Sequence, residues 1–285
     1  MISAWWIVAA LAGQVAAGQV KSPEAAEVDL AKRQQDKWNA HYAKTAAEYE
    51  ITRGKAGKDK LELQTEAVLN WSNPVREGET NGAVFIWTYE GRAEVVGTIF
   101  SHLVRGDPNT RVMAHSFQSL SQEPLTGQRP GRPGSWNLEG AGVQPRSIPG
   151  APSPASSRAA RLAQMRDLAR EFSATTTLEE VEQELRLLTQ PLHRNEKTTG
   201  DVLDGALFTF VTGTDPELML VIEARPAAKD AKPGWYYDAG RFTDLTLKLR
   251  HKDVELWTHE RGAALGGKPD PYISGRYEML PRLMP

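Results

Sequence analysis

Cysteine is absent from all 285 residues. That absence excludes disulfides, thiolate zinc sites, iron–sulfur clusters, a cysteine nucleophile and a lipidated N-terminal cysteine. Charge of either sign is not in excess, since 34 Lys and Arg stand against 36 Asp and Glu for a net charge of −2. No global field therefore draws the chain to nucleic acid or to an anionic membrane. Long apolar runs are confined to the N-terminus, which excludes a polytopic membrane protein. What is present is ordinary for a folded chain. An apolar content of 40% suffices for a core, and the length fits about two domains of roughly 150 residues.

Residues 1–20 carry no charged side chain, and the first charge is Lys21. Residues 2–11 form an apolar stretch, followed by small residues at Val15-Ala16-Ala17 that suit cleavage after Ala17 or Gly18. Residues 1–18 therefore read as a signal peptide. Gly13, Gln14, Gly18 and Gln19 interrupt the run before it reaches the length of a span, so no membrane span is expected in the mature chain. The missing Lys or Arg at the very start makes an uncleaved anchor the alternative. Export without cysteine suits a periplasmic or extracellular bacterial protein, because secreted eukaryotic domains lean on disulfides.

Beyond Ser22-Pro23, Trp38, Tyr42, Ala46 and Tyr49 recur every three to four residues and predict an amphipathic helix. Residues 60–121 are rich in β-branched and aromatic residues, with turn signals at Asn73-Pro74, Asn81-Gly82 and Glu90-Gly91. Residues 122–157 are dense in Pro, Gly, Arg and Ser and read as a linker. Ser156 and Ser157 offer N-caps to a second helix, in which Leu162, Met165, Leu168, Ala169 and Phe172 share a face. Strand signals then continue to about Trp257, and residues 258–285 read as a loop-rich tail.

The two strand-rich regions align with one another. Gly82/Gly205, Ala83/Ala206, Phe85/Phe208, Glu94/Glu217 and Ile99/Ile222 are identical at one constant offset, and each region follows a helical pattern. The expected fold is thus α+β, with two tandem pseudo-repeats at 22–121 and 158–257, each a helix packed on an antiparallel β-meander. Within the first hairpin, Ala83, Phe85 and Trp87 alternate with Val84, Ile86 and Thr88. Both faces are fairly apolar, so the strand is expected to be covered on both sides.

The strings WSNPV, NGAVFIW, HSFQSL, PGAPSP, RLAQMRDLAREF, ELRLLTQPL, LDGALF and GTDPE together resemble an uncharacterised family of exported proteins abundant in planctomycete-type bacteria. The resemblance covers roughly residues 67–257. It implies export, and it carries over no catalytic residue, because that family has no assigned activity.

Motifs of chemistry are sparse. GAALGGK at 262–268 has the spacing of a phosphate loop, but Pro269 replaces the hydroxyl residue that would hold magnesium. Arg105-Gly106-Asp107 beside Pro108 is explained by a tight turn. No G-x-S-x-G or H-E-x-x-H occurs, and His251 and His259 read as solvated loop residues rather than metal ligands. No cofactor and no metal are expected.

His115, beside Ser116, is the best single polar lead. Among Trp71, Trp87, Trp136, Trp235 and Trp257, the Gly/Pro-rich surroundings of Trp136 and Trp235 make those two the candidates for an exposed ligand platform. The expected function is a noncatalytic binding or interaction module of the cell envelope, with an envelope protein or a glycan as partner and no nucleic acid. The alternatives are an envelope hydrolase using His115 between the repeats, and a structural accessory subunit of an envelope complex.

Overall fold

Side chains alternate across the strand that runs from Thr80 to Tyr89. Ala83, Phe85 and Trp87 enter one hydrophobic core, and Val84 and Ile86 enter another. This two-sided burial, expected from the alternation, sets the layering of the molecule. The computed structural model describes residues 23–73, 79–196, 198, 201–226, 233–261 and 270–283. The signal-peptide residues 1–18 and the GAALGGK segment lie outside the described residues.

In chain order the first half comprises α1 (Pro23–Ala47), β1 (Glu50–Arg53), β2 (Asp59–Lys60), β3 (Glu62–Leu63), β4 (Leu69–Asn73), β5 (Thr80–Tyr89), β6 (Arg92–Val104), β7 (Asp107–Ser119), β8 (Leu125–Gln128), β9 (Trp136–Leu138) and β10 (Arg146–Ser147). The second half comprises α2 (Arg158–Arg170), β11 (Phe172–Leu178), β12 (Val181–Arg194), β13 (Asp204–Thr212), β14 (Asp215–Arg225), β15 (Gly234–Arg241), β16 (Thr246–His251), β17 (Val254–His259) and β18 (Tyr272–Pro281). All strand pairings are antiparallel. They form a four-stranded sheet β2-β1-β8-β9, an eight-stranded sheet β10-β15-β14-β13-β12-β11-β16-β17, and a six-stranded sheet β18-β7-β6-β5-β3 with β4 also on β5.

Helix α1 lays Trp38, Tyr42 and Ala46 against one face of the six-stranded sheet, and the four-stranded sheet adds Ile51, Leu125 and Trp136 to the same core. Helix α2 begins at the cap expected from sequence, where Ser157 Oγ accepts from the Ala160 backbone N–H. Its Met165, Leu168 and Ala169 pack on Phe208, Phe210 and Leu220 of the eight-stranded sheet. Asp204, fully buried, anchors that helix by accepting from Arg161 of α2 (2.9 Å) and Arg194 of β12 (2.8 Å). The opposite faces of the two large sheets meet through Trp71, Val84, Ile86, Val96, Leu207, Met219 and Val221. The layers therefore run α1, six-stranded sheet, eight-stranded sheet, α2.

The expectation of an α+β protein made of two tandem helix-on-meander repeats is overturned. Strand accounts for 55% and helix for 14%, with two helices among the described residues and three antiparallel sheets. The segment 122–157, expected as a linker, contributes β8, β9 and β10, and the expected tail contributes β18, paired along β7. The hairpins at 82–99 and 205–222 lie in sheets of six and eight strands, and the duplication finds no support beyond the sequence. Short strands flanked by Pro and Gly draw their stability from the neighbour they pair with, which local propensity does not register.

Turn chemistry was read correctly at Glu90-Gly91, where φ is 50° and 79°, as a two-residue hairpin turn requires. Asn81-Gly82, expected as a turn, lies inside β5 instead. A Cβ on Gly82 would stand 2.4 Å from the Phe100 Cβ, so the glycine serves close strand approach rather than a bend.

Candidate functional site

The three residues singled out from sequence are all in the core. His115 on β7 is fully buried, with Nδ1 2.7 Å from the Tyr49 hydroxyl and its ring against Tyr277. Burial, aided by the Arg129 and His41 charges, pushes its pKa down to about 3, so the imidazole is neutral and sealed from solvent. Trp136 on β9 is 4% exposed and packs on Phe117. Its indole occupies the space a side chain would need at Gly127, where a Cβ would lie 2.2 Å from Trp136 Cε2. Trp235 on β15 is 2% exposed in the core under α2. The platform expected from Trp136 and Trp235 is thus corrected, because both rings are buried and Gly127 makes room for that of Trp136 rather than exposing it.

A different set of polar groups converges at one end of the interface between the large sheets. Gln118 is the last residue but one of β7, Asp238 and Gly240 lie on β15, and Trp257 and His259 lie on β17. Together with Arg146, Arg241 and Asp270 they line a cavity of about 240 Å³. Glycine at 240 is what admits Gln118, since a Cβ there would stand 2.7 Å from the Gln118 Cγ. On the outer side, Arg146 Nη1 donates to the Leu256 carbonyl (3.0 Å), tying the β10 edge to β17.

Three residues that line this cavity each hold a buried side-chain atom with no hydrogen-bond partner among the described residues: Gln118 Oε1, Asp238 Oδ2 and His259 Nε2. Gln118 is fully buried and spends its amide N–H on the Ser119 carbonyl (2.8 Å). Asp238 Oδ1 accepts from the Ala239 backbone N–H (2.8 Å). Burial outweighs that bond, the nearby Arg146 and the Gln144 backbone N–H beside the carboxyl, raising the Asp238 pKa to about 7. Burial also holds His259 below its ordinary range, with Arg241 adding to the effect and Asp270 and Asp244 opposing it. Buried polar atoms are paired in the great majority of cases. A cavity that gathers three unpaired ones, with a shifted carboxyl among them, has the character of a ligand site.

Chemically, the unmet demand is for donors. Gln118 Oε1 and the Asp238 carboxylate accept, and the neutral His259 ring nitrogen takes either role. Trp257 stacks near-parallel on His259, with centroids 6.3 Å apart and planes at 19°, giving the cavity an aromatic wall. The guanidinium of Arg241 is held by Asp270 and Asp244.

His251 does not join His259. The two lie on separate strands of the β16–β17 hairpin, and His251 Nε2 pairs with Glu171 at 2.9 Å. Among the described residues no group of three or more His, Cys, Asp or Glu could hold a metal ion. Sequence reading weighed Trp257 and His259 only in passing and missed Gln118 and Asp238. The available signal was an acid inside the aromatic strand sequence Trp235-Tyr236-Tyr237-Asp238.

Comparison with protein-family models, with curated proteins and with solved structures finds no match to this chain. The chemistry of the site rests on its geometry.

Proposed function

We propose that the protein is an exported, noncatalytic binding module of the bacterial cell envelope, and that the cavity between β7, β15 and β17 holds a neutral, hydroxyl-rich ligand such as a sugar. The observation that carries this reading is that Gln118, Asp238 and His259 line one cavity and each holds a buried side-chain atom, Oε1, Oδ2 and Nε2 respectively, with no hydrogen-bond partner among the described residues. Hydroxyls supply the donors these atoms lack, and a stacked aromatic wall at Trp257 suits the apolar face of a sugar ring. Acidic and basic side chains balance around the cavity, Asp238 and Asp270 against Arg146 and Arg241, which favours a neutral ligand over an ionic one. Export is supported by the charge-free first twenty residues and the absence of cysteine. The hydrolase alternative is less favoured, because His115, the residue it names, is fully buried.

The test is a glycan array probed with the full chain and with Trp257→Ala, whose folding is checked by circular dichroism. Retention of a defined glycan by wild type, weakened at least ten-fold in the variant, is the expected result. A folded wild type that retains nothing, or a variant that retains as well as wild type, overturns the assignment. Cleavage of the retained glycan would replace binding with hydrolysis.

A further inference from the structure

The face of β7 and β18 that carries Gln118 runs on past the sugar-type cavity. Side chains two apart share a face, so Gln118 is followed on β7 by Ser116, Ala114 and Val112, and Tyr272 on β18 by Ser274 and Arg276. Cover from the eight-stranded sheet runs out along this path, because β6 and β7 each have 13 residues against 11 in β14 and 8 in β15. Gln118, Ser116 and Ala114 are buried, whereas Val112, with His102 and Phe100 on β6, is half-buried.

Two further cavities, of about 790 and 640 Å³, open there and continue the inner one. Arg241 and Asp270 line both the inner cavity and the first of the two, and His102 and Arg276 line both outer cavities. Arg241 does not stand free at the junction. Its guanidinium lies over the Tyr272 ring, 4.2 Å from the centroid, and is held by Asp244 and Asp270, which pins it to the β18 wall. Gln118 to Val112 is six residues of extended chain, about 20 Å, and the path goes on to Arg105 in the β6–β7 turn. The two outer cavities together exceed the roughly 1,000 Å³ that bounds a small-molecule site. One sugar ring does not fill such a cleft.

The outer cleft is balanced in charge, with Arg105, Arg241 and Arg276 against Asp107, Asp244 and Asp270. Arg241 sits between two aspartates, and that surplus negative charge offsets Arg105 and Arg276 against the single Asp107. The balance of the inner cavity therefore extends along the whole path. Between the charges lie a hydroxyl pair, Ser116 Oγ donating to Ser274 Oγ at 2.9 Å, and the half-buried Phe100 ring. A sugar hydroxyl both donates and accepts, so it meets guanidinium and carboxylate alike, and the face of a sugar ring suits Phe100 as it suits Trp257.

We propose that the three cavities are consecutive parts of one cleft that takes a linear, uncharged oligosaccharide lengthwise, with one end in the Gln118–Asp238–His259 cavity and the chain running out past Phe100 to Arg105. The inference rests on the sugar reading of the inner cavity and adds that the ligand is a segment of a polymer rather than a single sugar unit.

Isothermal titration of the full chain with cello-, chito- and malto-oligosaccharides, from disaccharide to hexasaccharide, tests the assignment. In at least one series the disaccharide is expected to bind and the affinity to rise ten-fold or more by the hexasaccharide. Arg276→Gln, its folding checked by circular dichroism, should weaken the hexasaccharide about five-fold or more and leave the disaccharide unchanged, whereas Trp257→Ala weakens both. A hexauronate cut from polygalacturonate should bind no tighter than the neutral hexasaccharide. Disaccharide binding with no gain in length, or a folded Arg276→Gln that holds the hexasaccharide like wild type, overturns the extended cleft and leaves the inner sugar site standing. Tighter binding of the hexauronate overturns the choice of an uncharged chain. No heat from any series at any length overturns both the cleft and the sugar reading it rests on.

Discussion

Arg92 Nε on β6 lies 2.9 Å from Glu223 Oε1 on β14, joining the two large sheets through a buried ion pair. The pair is the centre of a chain of charges. Arg92 also donates to Glu94 (2.8 Å), and Glu223 accepts from Arg225 (2.6 Å), which reaches Asp201 (2.7 Å). Burial works against the Arg92 charge, but Glu223 and Glu94 outweigh it and hold the guanidinium firmly protonated. Arg92, Glu223 and Arg225 are hydrogen-bonded within the network, while Glu94 Oε2 has no hydrogen bond among the described residues and meets only the Arg53 charge at 3.7 Å. A network so largely satisfied favours one arrangement of the sheets.

Removing both partners should therefore cost less than the sum of removing each alone. Arg92→Met leaves Glu223 with a buried, half-paired carboxylate, and a loss of about 3–5 kcal/mol is expected. In Arg92→Met combined with Glu223→Met, Glu94 keeps Arg53 and Arg225 keeps Asp201. Urea unfolding of the singles and the double should show the double less destabilised than the sum of the singles. An additive double would show that the pair is not coupled.

Acid should destabilise the fold through His115. The unfolded imidazole takes up a proton below its ordinary value of 6.5, whereas the folded one holds off to about 3. Stability contributed by the neutral ring is complete above pH 6.5 and falls as pH drops toward 3, by an amount on the order of a few kcal/mol. His115→Asn, which keeps a polar atom near Tyr49, should flatten the dependence of the unfolding midpoint on pH across that window. A variant with the wild-type acid slope would place the sensitivity elsewhere.

Asp238 carries the opposite sign. Its folded pKa of about 7 lies above the ordinary 3.8, so the stability linked to its proton is present below 3.8 and is lost as pH rises through 7. Asp238→Asn should raise the melting temperature at pH 8 and leave it nearly unchanged at pH 4. That gain would mark a side chain kept for binding at a cost in stability. No gain at pH 8 would mean that the carboxylate is already satisfied in the native protein.

The hairpin turn between β11 and β12 places Glu179 and Glu180 at φ 49° and 67°. Residues with a Cβ resist that region by roughly 1–2 kcal/mol each. Asn at 179 with Gly at 180 suits the turn, so Glu179→Asn with Glu180→Gly is expected to stabilise the protein by about 1 kcal/mol in urea unfolding. A loss of stability would show that the two carboxylates contribute more than the strain removes.

The sequence by itself determined the elements whose causes are local. Ser157 caps α2 because its hydroxyl reaches the Ala160 N–H three residues on, and Glu90-Gly91 turns because a two-residue hairpin demands positive φ there. The alternation of Phe85 with Val84 announced a strand buried on both faces, since side chains two apart share a face. Only the tertiary structure decided which long-range partners meet. Trp136 and Trp235 became core because Gly127 and α2 stand over them, and residues 272–281 became a strand because β7 offered an unpaired edge. Gln118, Asp238 and His259 come from three strands far apart in the chain. No local pattern links such residues, because a site of this kind is created by the packing of sheets and not by spacing along the backbone.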